Sequence, residues 1–190
     1  MSTTTTWSDD HFIAGDVALD FANTVYRRTP EIGADLIDSV DALIAWLHYA
    51  ELLPTLGDTR DYVDDPPAAL REAHDIRGLF WVIFEAQAVG RELPADALAG
   101  LFDVARLGIS NDVTIGPDGS VTPRTTRGAL TVVALHGVRA ALNPWSPPVR
   151  TCDRCGWFFI DTSRGRRRRW CSMKTCGNQA KAARYRSSRP

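Results

Sequence analysis

With 190 residues, 44% of them hydrophobic, the chain has the composition of an ordinary soluble globular protein and room for one domain plus a smaller second one. Its longest apolar runs, such as 79–84 and 132–135, fall far short of the roughly eighteen residues a bilayer span needs, which excludes a transmembrane helix. The net charge of −1 conceals an asymmetry: residues 1–149 carry ten Arg and no Lys against twenty-one acidic residues, whereas residues 150–190 carry twelve basic residues against Asp153 and Asp161.

In chain order, residues 1–7 offer neither a basic nor an apolar leader segment, so a cytoplasmic protein with reduced thiols is expected. Val17, Phe21 and Val25, with Ala18 and Ala22, predict one apolar helix face. Asp20, Asn23, Thr24 and Arg27 are candidates for lining a small-molecule pocket, with buried capping and helix-to-helix hydrogen bonds as the alternative. Ser39 can cap a helix through Val40, Leu43, Ile44, Leu47 and Ala50 that Pro54 ends. Asp65 before Pro66 is a helix start, and the face Leu70, Ala73, Ile76, Leu79, Phe80 and Ile83 carries that helix to about Val89, where Gly90 can close it. Residues 94–107 predict a further helix through Leu98, Leu101, Phe102 and Ala105. Val113–Ile115 and Val121-Thr122 flank a Gly-Pro-Asp-Gly turn and predict a hairpin, and 128–142 predicts the last helix of this part. His11, His48, His74 and His136 lie on separate segments without ligand spacing and read as surface or satisfied core histidines. The proline-rich stretch 144–149 reads as a stiff linker between an acidic, mainly helical domain, 1–143, and a basic module, 150–190.

The metal chemistry lies in that basic module. Cys152, Cys155, Cys171 and Cys176 are spaced C-x2-C-x15-C-x4-C, and two short pairs separated by a loop can furnish the tetrahedral sulfur set that zinc takes. Gly156 can adopt the positive φ that a tight turn after the second cysteine needs. The second pair stands at the start of a helix expected to run to about Arg186, where backbone N–H groups suit thiolates. Disulfides and an iron–sulfur cluster are the alternatives; a reducing compartment disfavours the first, and structural zinc is the commoner use of such pairs. The module's bulky apolar residues are Trp157, Phe158, Phe159, Ile160, Trp170 and Met173, too few for an independent core, so metal is expected to fold it. Trp157, Phe158, Phe159 and Ile160 read as a strand, 161–165 as a turn, and Arg166 to Trp170 as the returning strand, giving with the helix a treble-clef-like layout.

Four thiolates and one Zn²⁺ lower the module's balance from +10 to +8, a polyanion-binding signature for which a solvated basic tail is the bland alternative. Arg164, Arg166, Arg167, Arg168 and Arg169 are candidate nucleic-acid contacts; on a strand the last four would alternate faces, so about two of them reach phosphates while the others flank the metal or stack on Trp157 or Trp170. Lys174, Asn178, Lys181 and Arg184 recur at helical steps on one polar face. Asn178 and Gln179 suit bidentate contact with adenine, helix capping or plain solvation being the equal alternative.

The runs Cys-x2-Cys-Gly-Trp-Phe-Phe-x-Asp-x-Ser-Arg from Cys152 and Arg-Arg-Trp-Cys-Ser-Met-x2-Cys-Gly-Asn ending at Asn178 resemble the CGNR-type zinc finger at the C-terminus of bacterial proteins. Those proteins are described as stress-induced transcription regulators, and their N-terminal partner is the ABATE domain. Leu19-Asp20-Phe21-Ala22-Asn23-Thr24 and Ala45-Trp46-Leu47 resemble the opening of that domain. One position departs: Gln179 stands where the family has Arg, so any phosphate contact of that Arg is lost or passes to Lys181. The expected fold is mainly α with a small β-hairpin, followed by a treble-clef-like four-cysteine finger of hairpin plus helix. The resemblance implies a DNA-binding regulator with one structural Zn²⁺, its helical part sensing a ligand or mediating association such as a homodimer. An RNA-binding module, or a zinc-stabilised module that docks an acidic protein surface, is the alternative function. An enzyme is disfavoured, since four cysteines leave zinc no open position and no P-loop or G-x-G-x-x-G motif occurs.

Overall fold

The computed structural model describes residues 5–53, 65–143 and 145–187. Within them the body is built from α1 (Val17–Ala22), α2 (Val40–Tyr49), α3 (Pro66–Ala88), α4 (Ala95–Ile109) and α5 (Thr126–Leu142). Four of these begin at a side chain that accepts an orphan backbone N–H: Asp16 from Ala18, Ser39 from Ala42, Asp65 from Ala68 and Thr125 from Gly128. Pro66 opens α3 where its missing N–H costs nothing, and Gly90 follows its end at φ +67°. The first helix is shorter than its apolar face predicts: Asn23 ends it, and Val25 instead pairs with Asp35 in an isolated antiparallel bridge. Pro54, the expected stop for α2, Pro144, the first linker residue, and Arg189 lie outside the described residues.

Helix α5 is apolar nearly all round, which suits a central helix rather than a surface one, and it packs on α1, α3 and α4. Gly137 lets it approach α3 closely, since a Cβ there would come within 2.1 Å of the Phe80 ring. Phe21, Trp46, Phe80 and Phe84 are fully buried in this core, with Phe21 edge-on to Trp46 at 4.9 Å between ring centres. The predicted hairpin forms as β1 (Val113–Ile115) and β2 (Val121–Pro123), antiparallel in the register Thr114 to Thr122.

The C-terminal part adds a second antiparallel pair, β3 (Val149–Thr151) with β4 (Phe158–Ile160), a π-helical turn over Met173–Gly177, and α6 (Asn178–Ser187). Here the expected returning strand is corrected. The partner of β4 is β3, which precedes the first cysteine pair, in the register Val149 to Ile160; residues 166–170 form no strand. Two features prevent it. Arg166 sits at φ +46°, and the buried Asp161 carboxylate gathers the loop by accepting from Ser163 N, Ser163 Oγ and Arg168 N at 3.1, 2.6 and 2.8 Å. Burial would raise that carboxyl's pKa, but the bonds from Ser163 and Arg168 outweigh it and hold it below the ordinary carboxylate range.

Strand β4 is the wall shared by the two parts. Alternate residues of a strand face opposite sides, and here Phe158 and Ile160 enter the helical core while Trp157 and Phe159 cover the cysteines. Phe158 meets Phe84 edge-on at 5.7 Å. On the edge of β4 away from β3, the Asn23 side chain acts as a substitute strand: its Nδ2 donates to Phe158 O at 2.9 Å and its Oδ1 accepts from Phe158 N at 2.8 Å. Ala14 O completes that edge by accepting from Ile160 N at 2.9 Å.

Candidate metal centre and basic surface

The first cysteine pair lies on a turn that β3 and β4 hold in place. Cys152 N donates to Trp157 O at 2.8 Å, Gly156 N returns to Cys152 O at 2.9 Å, and Gly156 takes φ +74°. The backbone N–H groups of Cys155 and Trp157 point at the sulfurs of Cys152 and Cys155. The helical body grips this turn from outside: Arg28 N and Thr29 N both donate to Cys155 O, and Trp157 Nε1 donates to Val25 O at 2.8 Å. The largely buried Arg28 side chain lies over Phe158 at 4.1 Å, donates to Gly156 O at 3.0 Å and pairs with Glu85. The second pair is set by Ser172, whose hydroxyl accepts from Lys174 N and whose carbonyl accepts from Gly177 N.

These turns bring all four sulfurs within 4.8 Å of one another, and all four cysteines are buried. Cys171 Sγ lies 3.6 Å from Cys155 Sγ and 3.7 Å from Cys176 Sγ. A tetrahedron with zinc–sulfur bonds of about 2.3 Å has sulfurs about 3.8 Å apart. The donor set therefore fits zinc in number, softness and spacing. Electrostatics agree: hydrogen bonds from Cys155, Cys171 and Cys176 draw the Cys152 thiol far below its usual range, and that same pairing pushes Cys155 and Cys171 up. Four crowded sulfurs ionise together only around a cation, and a divalent one supplies that charge.

The basic residues divide into committed and open ones. Arg150 bonds Asp161, Arg169 bonds Asp153 at 2.6 Å, and Lys174 reaches Asp10 of the helical body at 2.9 Å. Arg168 stacks over Phe159 at 4.5 Å and Arg169 over Trp170 at 5.6 Å. By contrast Arg164, Arg166, Arg167, Lys181, Arg184 and Arg186 are exposed and pair with no carboxylate among the described residues. Helix α6 buries none of its side chains. Asn178 donates back to Lys174 O at 3.2 Å, and Gln179 accepts from Arg154 Nε at 2.8 Å, joining the first cysteine turn to the helix.

Of the four candidate pocket residues near α1, Asp20 lines one cleft, with Phe12, Val17 and Tyr49, and Arg27 another. Asp20 Oδ1 accepts from Ala14 N, Asn23 holds β4, and Thr24 accepts from Arg77 through its carbonyl and hydroxyl oxygens. Arg27 lines a cleft of about 400 Å³ between the loop after α1 and the finger, together with Leu36, Arg154 and three of the cysteines. The spacing of the cysteines made the metal centre readable in advance. Arg28 was missed; Asn23 and the turn at 161–165 were singled out in the sequence, but the pairing of Asn23 with Phe158 and of Asp161 with Arg168 N was not, because both partners are set by the fold.

A helical body with a four-cysteine zinc finger set into its core defines a zinc-finger protein. The family model described as "Putative stress-induced transcription regulator", the ABATE family, matches residues 15–144, and that of the CGNR zinc finger matches residues 149–189. The chain belongs to the ABATE family and carries one structural zinc site of the CGNR type. No curated protein matches it.

Proposed function

We propose that this regulator holds duplex DNA through the zinc finger, with Arg164, Arg166 and Arg167 on the loop and Lys181 and Arg184 on α6 as its phosphate contacts. The observation that carries the reading is the division of the cations: these five are exposed and have no carboxylate partner among the described residues, while Arg150, Arg169 and Lys174 are paired with Asp161, Asp153 and Asp10. Exposed guanidinium groups matched to phosphate oxygens release condensed counterions on binding. Asn178 and Gln179 at the start of α6 are the candidates for base contact, and Gln179 in place of a cation relieves the repulsion an Arg would meet beside Arg154. In this reading the acidic part, 1–143, acts as the carrier and regulator of the finger, 150–190, from a cytoplasmic pool, and neither part is catalytic.

Fluorescence anisotropy of zinc-loaded protein on labelled duplex DNA, at stepped salt, tests this. Three to five contacts predict a log–log slope of about −3 to −4.5. Binding that ignores salt contradicts the proposal, and tighter binding to a competing RNA of the same length moves it to RNA.

A further inference from the structure

The cleft of about 400 Å³ between finger and body has an unusual floor, because Cys155, Cys171 and Cys176 line it and Cys152 does not. Exposure divides them differently: Cys155 and Cys176 are 9% and 8% exposed, whereas Cys171, though it lines the cleft, is as buried as Cys152, at 3% against 2%. Cys171 lies between the two reachable sulfurs, at 3.6 and 3.7 Å. Arg27 and Arg154 also line the cleft, as does Asp10.

We propose that this cleft admits small hydroperoxides to the zinc-bound thiolates and makes Cys171, with Cys155 or Cys176, an oxidation site that opens the finger while Cys152 stays reduced. The thiolate of Cys155 or Cys176 attacks the distal peroxide oxygen; the S–O bond forms, the O–O bond breaks, and the departing hydroxide or alkoxide takes a proton. The Cys171 thiolate then attacks the sulfenic sulfur, the S–S bond forms, and the hydroxyl leaves as water after protonation. The two sulfurs together lose two electrons and the peroxide gains them. Only two thiolates then remain, too few to retain the metal.

The test treats the zinc-loaded full chain with substoichiometric hydrogen peroxide while a chelating dye reads free zinc, quenches it in acid, alkylates the free thiols with N-ethylmaleimide in denaturant near neutral pH, and maps disulfides by mass spectrometry. The expected first product carries Cys171 bonded to Cys155 or Cys176, a maleimide on Cys152, and one zinc lost for each disulfide. Thr29→Trp, at a cleft-lining residue beside the Cys155 turn, should slow zinc release several-fold. A first disulfide that contains Cys152, zinc loss without a disulfide, or a folded Thr29→Trp protein that releases zinc at the unaltered rate would overturn the proposal; if Thr29→Trp misfolds, the disulfide map decides alone. Loss of DNA affinity on oxidation rests on the reading above, whereas the disulfide map and the zinc release do not, so the two can fail separately.

Discussion

Asn23 fills the place of a missing strand beside Phe158, and its amide is the one side chain at that edge that both donates to and accepts from the Phe158 backbone. Removing it leaves a buried N–H and a buried C=O unpaired, at roughly 1–3 kcal/mol each. Asn23→Ala should therefore destabilise the whole chain by about 2 kcal/mol or more, read by urea denaturation, with Asn23→Asp, which keeps only the acceptor, in between. Three residues earlier Asp20 poses a charge problem. Burial, aided by Asp16, pushes its carboxyl up to about 7 despite the bond from Ala14 N. Between about pH 4, where an unfolded Asp ionises, and about pH 7 the native state holds a proton that the unfolded state has released, so stability falls as pH rises through that window. Asp20→Asn keeps the acceptor and removes this titration, and denaturation across pH should show the slope through that window reduced by the Asp20 share, about 4 kcal/mol in all.

Among elements, β4 and α6 are opposites. β4 is buried on both faces and reads as a strand from Trp157 to Ile160, whereas α6 buries nothing and is held at its start by the π turn and the Gln179 to Arg154 bond. If the open cations hold DNA, replacing Arg164, Arg166 and Arg167 with Ala should shrink the salt slope by about 0.9 for each lost contact. Arg169→Ala and Lys174→Ala, whose charges serve Asp153 and Asp10, should move it little. Elements specified by neighbouring residues were the legible ones: helix caps at Ser39 and Asp65, the turn before Val121, and the cysteine spacing all act within a few residues of chain. Strand β3 was not legible, because Val149–Thr151 is three residues long beside prolines and is defined by a partner across the cysteine turn. The arginine run misled for the converse reason. Its place after the turn at 161–165 suggested a returning strand, but the Asp161 carboxylate takes up Arg168 N instead.

At the scale of the molecule, charge suggested two bodies of opposite sign, and packing joins them. Val149, Phe158 and Ile160 belong to the same apolar cluster as Phe21, Phe80 and Phe84, and Cys155 O is held by the loop after α1. Each large apolar side chain buried across that boundary contributes about 1.5–3 kcal/mol, so the finger and the body should unfold together. The Leu19 to Thr24 segment then gains a physical meaning as the socket for the finger: Leu19 and Phe21 fill the core, Asn23 holds β4 and Thr24 anchors Arg77. Zinc is the point on which both parts depend.

Hydrogen exchange of the full chain, compared with and without a strong zinc chelator, tests that dependence most directly. The account predicts that chelation strips protection from 149–160 and also from α1 and the backbone of residues 24–37. Loss confined to 152–187, with α1 and that loop as protected as before, would contradict it.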